Sequence, residues 1–182
     1  MRVAGIDVGL NFCKLAVIED ELLYVGDYRM EKLRGVIAAG IDAPLSFPKT
    51  GMLRECERKL LKLGIKLFPS GAPFFRSIAL RGMEIAEELR RNGIKVYEVY
   101  PYATRVLMGI ASNSKKRTKR GLLEITREVG KILKVPNLTH DELDAVISAL
   151  TVREFLSGRG FVLSGEDGEI ILPERKDNAD SI

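Results

Sequence analysis

Short apolar runs alternate with polar turns over the first 28 residues of the chain. Apolar segments occupy residues 2–8, 12–18 and 22–28, and the turn-like stretches 9–11 and 19–21 separate them. Runs of this length with turn residues between them are typical of strands that pair with their neighbours in sequence. The pattern therefore predicts an antiparallel meander of three strands.

The middle of the chain changes to alternating strands and helices. Continuous apolar runs at 36–41 and 94–100 predict buried strands, and Pro101 ends the second run. Between these runs, apolar residues recur at helical spacing over 53–63 and 78–91. Strands that alternate with helices are typical of parallel pairing, with the helices covering the sheet.

The last third of the chain predicts two further helices and a hairpin. Residues 119–133 place apolar side chains on one helical face, and Thr139 with Glu142 forms a capping box at the start of a long apolar helix. A hairpin is expected within 161–172. The polar tail, 174–182, is expected to be disordered.

These elements predict one α/β domain, residues 1–173, with a mixed sheet in which three antiparallel strands precede parallel ones and helices cover both faces.

The chain has 182 residues, 46% hydrophobic and 30% charged, and this composition is ordinary for a globular protein. No apolar run approaches the ~20 residues of a membrane span, and no signal-peptide pattern is present. We therefore expect a cytoplasmic protein. Abundant Lys, Arg and Glu with no glutamine is a thermophile-like composition.

Carboxylates interrupt or end several apolar segments, where an unpaired acid is costly. They are Asp7 in the first strand, Asp42 after the run 36–41, Glu98 in the run 94–100, and Asp141 and Asp144 in the last helix. If these acids converge, a divalent cation would remove their mutual repulsion. The single histidine, His140, excludes a histidine-rich transition-metal site, and the two distant cysteines do not indicate a zinc site. An oxygen-ligated Mg²⁺ or Mn²⁺ is therefore the expected ion.

Each acid also has a simpler explanation, and these alternatives stay open on the sequence. Asp7 could face water from an edge strand or belong to a turn if its strand ends one residue early, and Asp42 could cap a turn. Glu98 could pair with Lys95 or with an arginine from a neighbouring strand. Acids in a first helical turn complement the helix dipole, which accounts fully for Asp141. It accounts less well for Asp144, because the apolar stripe follows that residue directly. The joint pattern favours a metal site.

Positive charge is concentrated in one part of the chain. The net charge is +4, and the basic segment, residues 115–120, holds Lys115, Lys116, Arg117, Lys119 and Arg120. Such a run is often only a solvated loop, but it could also hold phosphates. If all five residues bound phosphates, the logarithm of the binding constant would fall with the logarithm of the salt concentration with a slope of about −4.5. No aromatic residue is interleaved with the basic ones, so base stacking is not indicated.

A different interpretation starts from the first hairpin. Asp7-Val8-Gly9 followed by Lys14 resembles the phosphate-binding hairpin of actin-like ATPases and sugar kinases. In those proteins glycine amides hold a phosphate and a lysine neutralises it. They also require a second, similar domain, for which this chain is too short.

Three segments resemble the predicted RNase H-like nuclease family (domain of unknown function 429). They are Ile-Asp-Ala-Pro-Leu at 41–45, Glu-Val-Tyr-Pro at 98–101 and His-Asp-Glu-Leu-Asp-Ala at 140–145. With weaker matches elsewhere, the resemblance covers residues 1–173. It implies an RNase H-like fold with an acidic, two-metal centre.

The layout of acids is also similar to that of RuvC-type resolvases, which implies the roles of individual residues. Asp7, Asp42, Asp141 and Asp144 would hold Mg²⁺ or Mn²⁺, with Asp7 bridging two ions, and Glu98 is an additional catalytic candidate. The resemblance favours an enzyme, a metal-dependent nuclease that hydrolyses phosphodiester bonds of DNA or RNA. The basic segment would contact the nucleic-acid backbone. A homodimer is an option, as for resolvase-like enzymes.

Two other functions stay open. One is a non-catalytic nucleic-acid-binding or structural module on the same fold, which metal binding would distinguish from a nuclease. The other is an actin-like nucleotide-phosphate binder that uses Gly9 and Lys14. It predicts stabilisation by ATP that the Lys14→Ala substitution removes.

Overall fold

The computed structural model describes residues 1–176, which form a five-stranded sheet, a two-stranded sheet and covering helices. The strands of the larger sheet are β1 Val3–Val8, β2 Cys13–Ile18, β3 Leu22–Asp27, β4 Ala38–Asp42 and β5 Lys95–Glu98. Across the sheet the order is β3-β2-β1-β4-β5. β2 runs antiparallel to β1 and β3, whereas β4 runs parallel to β1 and to β5. The predicted mixed sheet is therefore confirmed.

The α-helices of the described residues all come after β4 in the chain, and two of them precede β5. The α-helices of the described residues are α1 Glu55–Lys62, α2 Arg76–Arg91, α3 Pro101–Leu107, α4 Lys119–Gly130 and α5 His140–Leu156. A separate antiparallel hairpin joins β6 Gly160–Gly165 to β7 Gly168–Pro173. Short 3-10 helices lie at Met30–Leu33 and Pro73–Phe75.

Both faces of the large sheet are covered, which explains why its central strands are apolar throughout. Ile6 of β1 belongs to the core cluster that contains Leu89 of α2. Val3 belongs to the cluster on the opposite face, which contains Ile147 of α5. Because successive side chains of a strand alternate between faces, helices on both sides bury nearly every position of β1.

A pair of glycines brings α5 close to the sheet. Gly5 of β1 and Gly40 of β4 are register partners, and both lie under α5. A Cβ at Gly5 would lie 2.1 Å from the Ala145 carbonyl oxygen, and one at Gly40 would lie 2.8 Å from Val152. The absence of a side chain at both positions allows the helix backbone to approach the strands closely.

The predicted elements are present, with boundaries shifted by a few residues. At the start of α5, Thr139 Oγ1 accepts a hydrogen bond from the Glu142 amide at 3.3 Å, and Glu142 Oε2 accepts one from the Thr139 amide at 2.9 Å. The sequence prediction lacks α3, because it takes Pro101 only as the end of a strand. Pro101 is also the first residue of α3, a position that proline favours because no N–H is needed there.

The expected disordered tail, 174–182, lies outside the described residues from position 177 onward. Within the described part, the Glu174 and Lys176 amides donate hydrogen bonds to the carbonyls of Arg159 and Leu107, at 2.9 and 3.0 Å. The single-domain boundary at residue 173 stays a prediction. Among residues 1–176, no helix is both long and apolar enough to cross a membrane.

Candidate metal centre

Three carboxylates converge at one end of the large sheet, and we call Asp7, Asp42 and Asp144 the carboxylate centre. Asp7 and Asp42 are register partners on the parallel strands β1 and β4, so their side chains lie on the same face. Helix α5 crosses this face and contributes Asp144. One oxygen of each carboxylate lies within 4.8 Å of the others.

The position of Asp144 follows from the local sequence of α5 and from the glycines beneath it. The capping box at Thr139 fixes where the helix begins, so Asp144 falls in its second turn. Gly5 allows the backbone at Ala145 to approach β1 closely. As a result the Asp144 side chain is held against the ends of β1 and β4, where only 5% of the residue is exposed.

Burial and mutual repulsion raise the pKa values of two of these acids. The pKa of Asp42 is raised to about 8, first because the group is buried and next because Asp7 lies beside it. The pKa of Asp7 is raised to about 6, by burial and then by the charge of Asp141. For both acids the nearby charge of Lys116 does not offset the effect of burial on the pKa. A set of carboxylate oxygens fits a hard divalent cation such as Mg²⁺ or Mn²⁺.

Lys116 brings a positive charge into the carboxylate centre. Its Nζ donates a hydrogen bond to Asp144 Oδ2, and its charge acts to lower the pKa values of Asp7 and Asp42. The sequence predicts Lys116 as one of five contacts to a nucleic-acid backbone. In the structure it is ion-paired with an acid of the centre.

Asp141 lies beside the carboxylate centre but outside the group of three. Its carboxylate contacts His140 Nδ1 at 2.6 Å, and its side chain is 49% exposed. Its charge contributes to the raised pKa of Asp7, which places it near that residue. A role as a fourth ligand stays a prediction.

Glu98 also lies outside the group of three, and an internal arginine neutralises it. Both terminal nitrogens of Arg54 donate to its carboxylate, with Nη1 at 2.7 Å from Oε2, and the Leu45 amide donates at 2.8 Å. The simpler explanation for Glu98, pairing with an arginine, describes this contact, although Arg54 precedes α1 and is not on a strand. A catalytic role for Glu98 stays a prediction.

A cleft of about 340 Å³ leads from the carboxylate centre to the basic segment. Asp42 and Asp144 line it together with residues 112–116. The other four basic residues of the segment, Lys115, Arg117, Lys119 and Arg120, are exposed. The structure therefore brings two of the predicted acids, Asp42 and Asp144, and two of the predicted basic residues, Lys115 and Lys116, to one cleft.

Sequence reasoning missed the arginine that shapes this cleft. Arg105 of α3 is 4% exposed, and its Nη2 donates hydrogen bonds to the carbonyl oxygens of Ala111 and Ser114, at 2.7 and 2.9 Å. These bonds hold the segment that precedes Lys116. No signal in the sequence indicated this role, since the helix carrying Arg105 was itself not predicted.

The groups that the actin-like interpretation requires already have partners within the first hairpins. Lys14 Nζ donates to Asp27 Oδ1 at 2.7 Å. The Gly9 amide donates to the Phe12 carbonyl at 3.1 Å. Both groups stabilise the strand connections, and this geometry does not favour phosphate binding.

Comparison with known proteins identifies the fold. No protein-family model and no curated protein matches the chain. Solved structures do match: Thermus thermophilus RuvC in complex with a Holliday junction substrate is 19% identical, with a TM-score of 0.53 over 93% of this chain and 99% of that chain. A second structure of Thermus thermophilus RuvC is 16% identical, with a TM-score of 0.51 over 93% of this chain and 100% of that chain. The chain therefore has the RNase H-like α/β fold of these RuvC structures.

Proposed function

We propose that this protein is a metal-dependent nuclease that hydrolyses phosphodiester bonds of DNA or RNA at the carboxylate centre. The observation that carries the proposal is the convergence of Asp7, Asp42 and Asp144, with one oxygen of each within 4.8 Å of the others. The fold is that of a RuvC whose structure was solved with a Holliday junction, which supports nucleic acid as the class of substrate.

In this proposal Asp7, Asp42 and Asp144 would hold two Mg²⁺ or Mn²⁺ ions, with Asp7 as a ligand common to both and Asp141 assisting. When bound, such ions act as Lewis acids and lower the pKa of the attacking water. The protein's own contribution is a rigid set of ligands. Asp7 and Asp42 are fixed by strand pairing, and Asp144 is fixed by the close contact of α5 with Gly5.

The exposed residues of the basic segment hold the substrate in this proposal. Lys115, Arg117, Lys119 and Arg120 lie on the loop and first turn of α4, and Lys115 lines the cleft that Asp42 and Asp144 also line. They would pair with phosphates without reading bases. We also propose membership in the predicted RNase H-like nuclease family, supported by the segments 41–45, 98–101 and 140–145.

Calorimetric titration with Mn²⁺ tests the proposal without knowledge of the substrate. We expect saturable binding to the intact protein, its loss in Asp7→Asn, and no change in Asp20→Asn, a control at an exposed turn acid. Cleavage of DNA, RNA and branched DNA is then assayed with Mn²⁺ and with EDTA. Full cleavage by a folded Asp7→Asn variant would contradict the mechanism.

One observation favours a second candidate, a nucleic-acid-binding module without turnover. Lys116 already neutralises Asp144, so the centre has a cation of its own. This candidate predicts equal nucleic-acid affinity in Mn²⁺ and in EDTA, with no cleavage in either. Binding assays in the two buffers separate it from the nuclease.

A further inference from the structure

We infer that Lys116 is a built-in counter-ion that occupies the place of one divalent ion until nucleic acid binds. The free protein then binds one divalent ion rather than two. This inference rests on the proposed function and adds regulation of the carboxylate centre by the segment that carries Lys116. Its basis is the position of the lysine, the charge balance of the centre and the contacts that fix the segment.

The charge balance determines how many ions the centre accepts. With all three carboxylates ionised and Lys116 in place, the group has a formal charge of −2, which a single divalent ion neutralises. A second ion would give the centre an excess of positive charge at short range, which is strongly unfavourable away from bulk water. Without the lysine the charge is −3, and one ion no longer neutralises it.

The segment before Lys116 is held in place by a buried arginine. Arg105 Nη2 donates to the carbonyls of Ala111 and Ser114, so the backbone on this side is anchored to α3. Ser114 Oγ also donates to Glu124 of α4 at 2.7 Å. The approach of Lys116 to the acids is therefore built into the packing of the loop.

The segment after Lys116 is held by the start of α4. The Thr118 amide donates to the Lys115 carbonyl at 3.0 Å, and the Thr118 hydroxyl accepts from the Gly121 amide at 3.1 Å. A Cβ at Gly121 would lie 2.2 Å from the Lys115 carbonyl oxygen, so the helix packs directly on this backbone. With both sides fixed, Lys116 reaches the acids while Lys115 and Arg117 stay exposed.

Nucleic acid is the agent that would release the lysine. Lys115 and Lys116 both line the cleft that leads to the acids, so a phosphate entering it offers the Lys116 ammonium another anionic partner. Asp144 is then free to bind a second divalent ion. Because coupling between two ligands is reciprocal, nucleic acid and the second ion should strengthen each other's binding.

The test is a Mn²⁺ titration of the free protein by calorimetry, with variants at two adjacent lysines. We expect one ion per chain for the unmodified protein and two for Lys116→Met, with the first ion bound about tenfold more tightly or better. Lys115→Met, which removes an exposed charge one residue away, should behave like the unmodified protein. Lys116→Arg, which keeps the charge, should also bind one ion.

The outcomes separate this inference from the proposed function. Two ions in the unmodified protein, or equal stoichiometry and affinity in Lys116→Met, would overturn the counter-ion role and leave the metal centre intact. No Mn²⁺ binding by either protein would overturn the metal centre itself. Circular dichroism checks the fold, and Lys116→Gln replaces the methionine variant if that variant does not fold.

Discussion

Two groups of buried or half-buried acids lie side by side in this fold and differ in what neutralises them. At the end of β5, Glu98 is fully engaged by Arg54, which also contacts Glu57 at 3.3 Å. At the end of the adjacent strand β4, Asp42 faces Asp7 and Asp144, and within residues 1–176 these three acids have one ion-paired cation, Lys116. The first group is a closed structural network, and the second keeps negative charge available for a ligand.

An acid at the end of a buried strand indicates that something compensates its charge, but the sequence does not say whether that is an internal cation or a ligand. Glu98 and Asp42 carry the same signal in the sequence. An arginine supplied by the chain pairs with the first acid. The shortage of such a cation leaves the second acid with uncompensated negative charge, as the proposed metal centre requires.

The largest effect is expected when the closed network is broken. Arg54→Met leaves Glu98 and Glu57 buried without their cation, and this should lower the free energy of unfolding by about 3–5 kcal/mol. Urea denaturation measures the change, and Arg58→Met, at an exposed position of α1, is the control. A loss below about 1 kcal/mol would show that the two groups are energetically alike.

Removing a charged side chain from the carboxylate centre should raise the stability of the protein rather than lower it. Asp42→Asn removes a charge that is repelled by Asp7, so without metal at pH 8 we expect a Tm higher by about 2–4 °C, equivalent to ~1 kcal/mol. The variant should also lose Mn²⁺ binding. Scanning calorimetry in EDTA is the measurement, with Asp20→Asn as control. A lower Tm would contradict the repulsion between Asp42 and Asp7.

The stability of the protein should depend on pH through the ionisation of Asp7 and Asp42. Asp7 and Asp42 have pKa values of about 6 and about 8 in the folded protein, above the ~3.9 of an unfolded aspartate. Between these values the folded state binds more protons than the unfolded state, so stability in EDTA falls as pH rises from about 4 to about 8. Mn²⁺ affinity should rise over pH 6 to 8, because the ion requires ionised carboxylates.

The contribution of Asp42 is isolated by comparing the free energy of unfolding of the unmodified protein with that of Asp42→Asn at each pH. Urea denaturation in EDTA gives the free energies, and their difference should change steadily up to about pH 8 and then level off. A difference that is constant from pH 4 to pH 8 would mean that Asp42 titrates as an ordinary exposed acid.

The smallest effect is expected from the exposed part of the basic segment. Each of Lys115→Met and Arg117→Met should reduce the magnitude of the salt slope of nucleic-acid binding by about 0.9, because each removes one phosphate contact. Fluorescence anisotropy at several salt concentrations measures the slope. Lys131→Met, at the opposite end of α4, should leave it unchanged, and an equal reduction there would place the contact surface elsewhere.

Much of the fold could be predicted from the sequence because its signals are local. The alternation of apolar runs and turns gave β1 to β3, and the capping box gave the start of α5. Asp7 and Asp42 stood out because acids rarely end buried strands. Asp144 stood out because an apolar stripe follows it.

The rest depends on contacts between distant parts of the chain. The pairing of Glu98 with Arg54 joins residues 44 positions apart, and no local pattern connects them. Lys116 looks the same in sequence as its basic neighbours. Only the packing of Arg105 and Gly121 against the loop distinguishes it. These roles become visible when the tertiary structure is known.

The glycine pair beneath α5 also constrains how this protein can change. Gly5 carries no charge and binds nothing, yet one added methyl group there would collide with the helix backbone at Ala145 and Ala149. The helix would have to rise, and the third carboxylate would rise with it. The positions of the carboxylates therefore depend on the distance between α5 and the sheet. Gly5 sets that distance, so it constrains the site as strictly as the acids do.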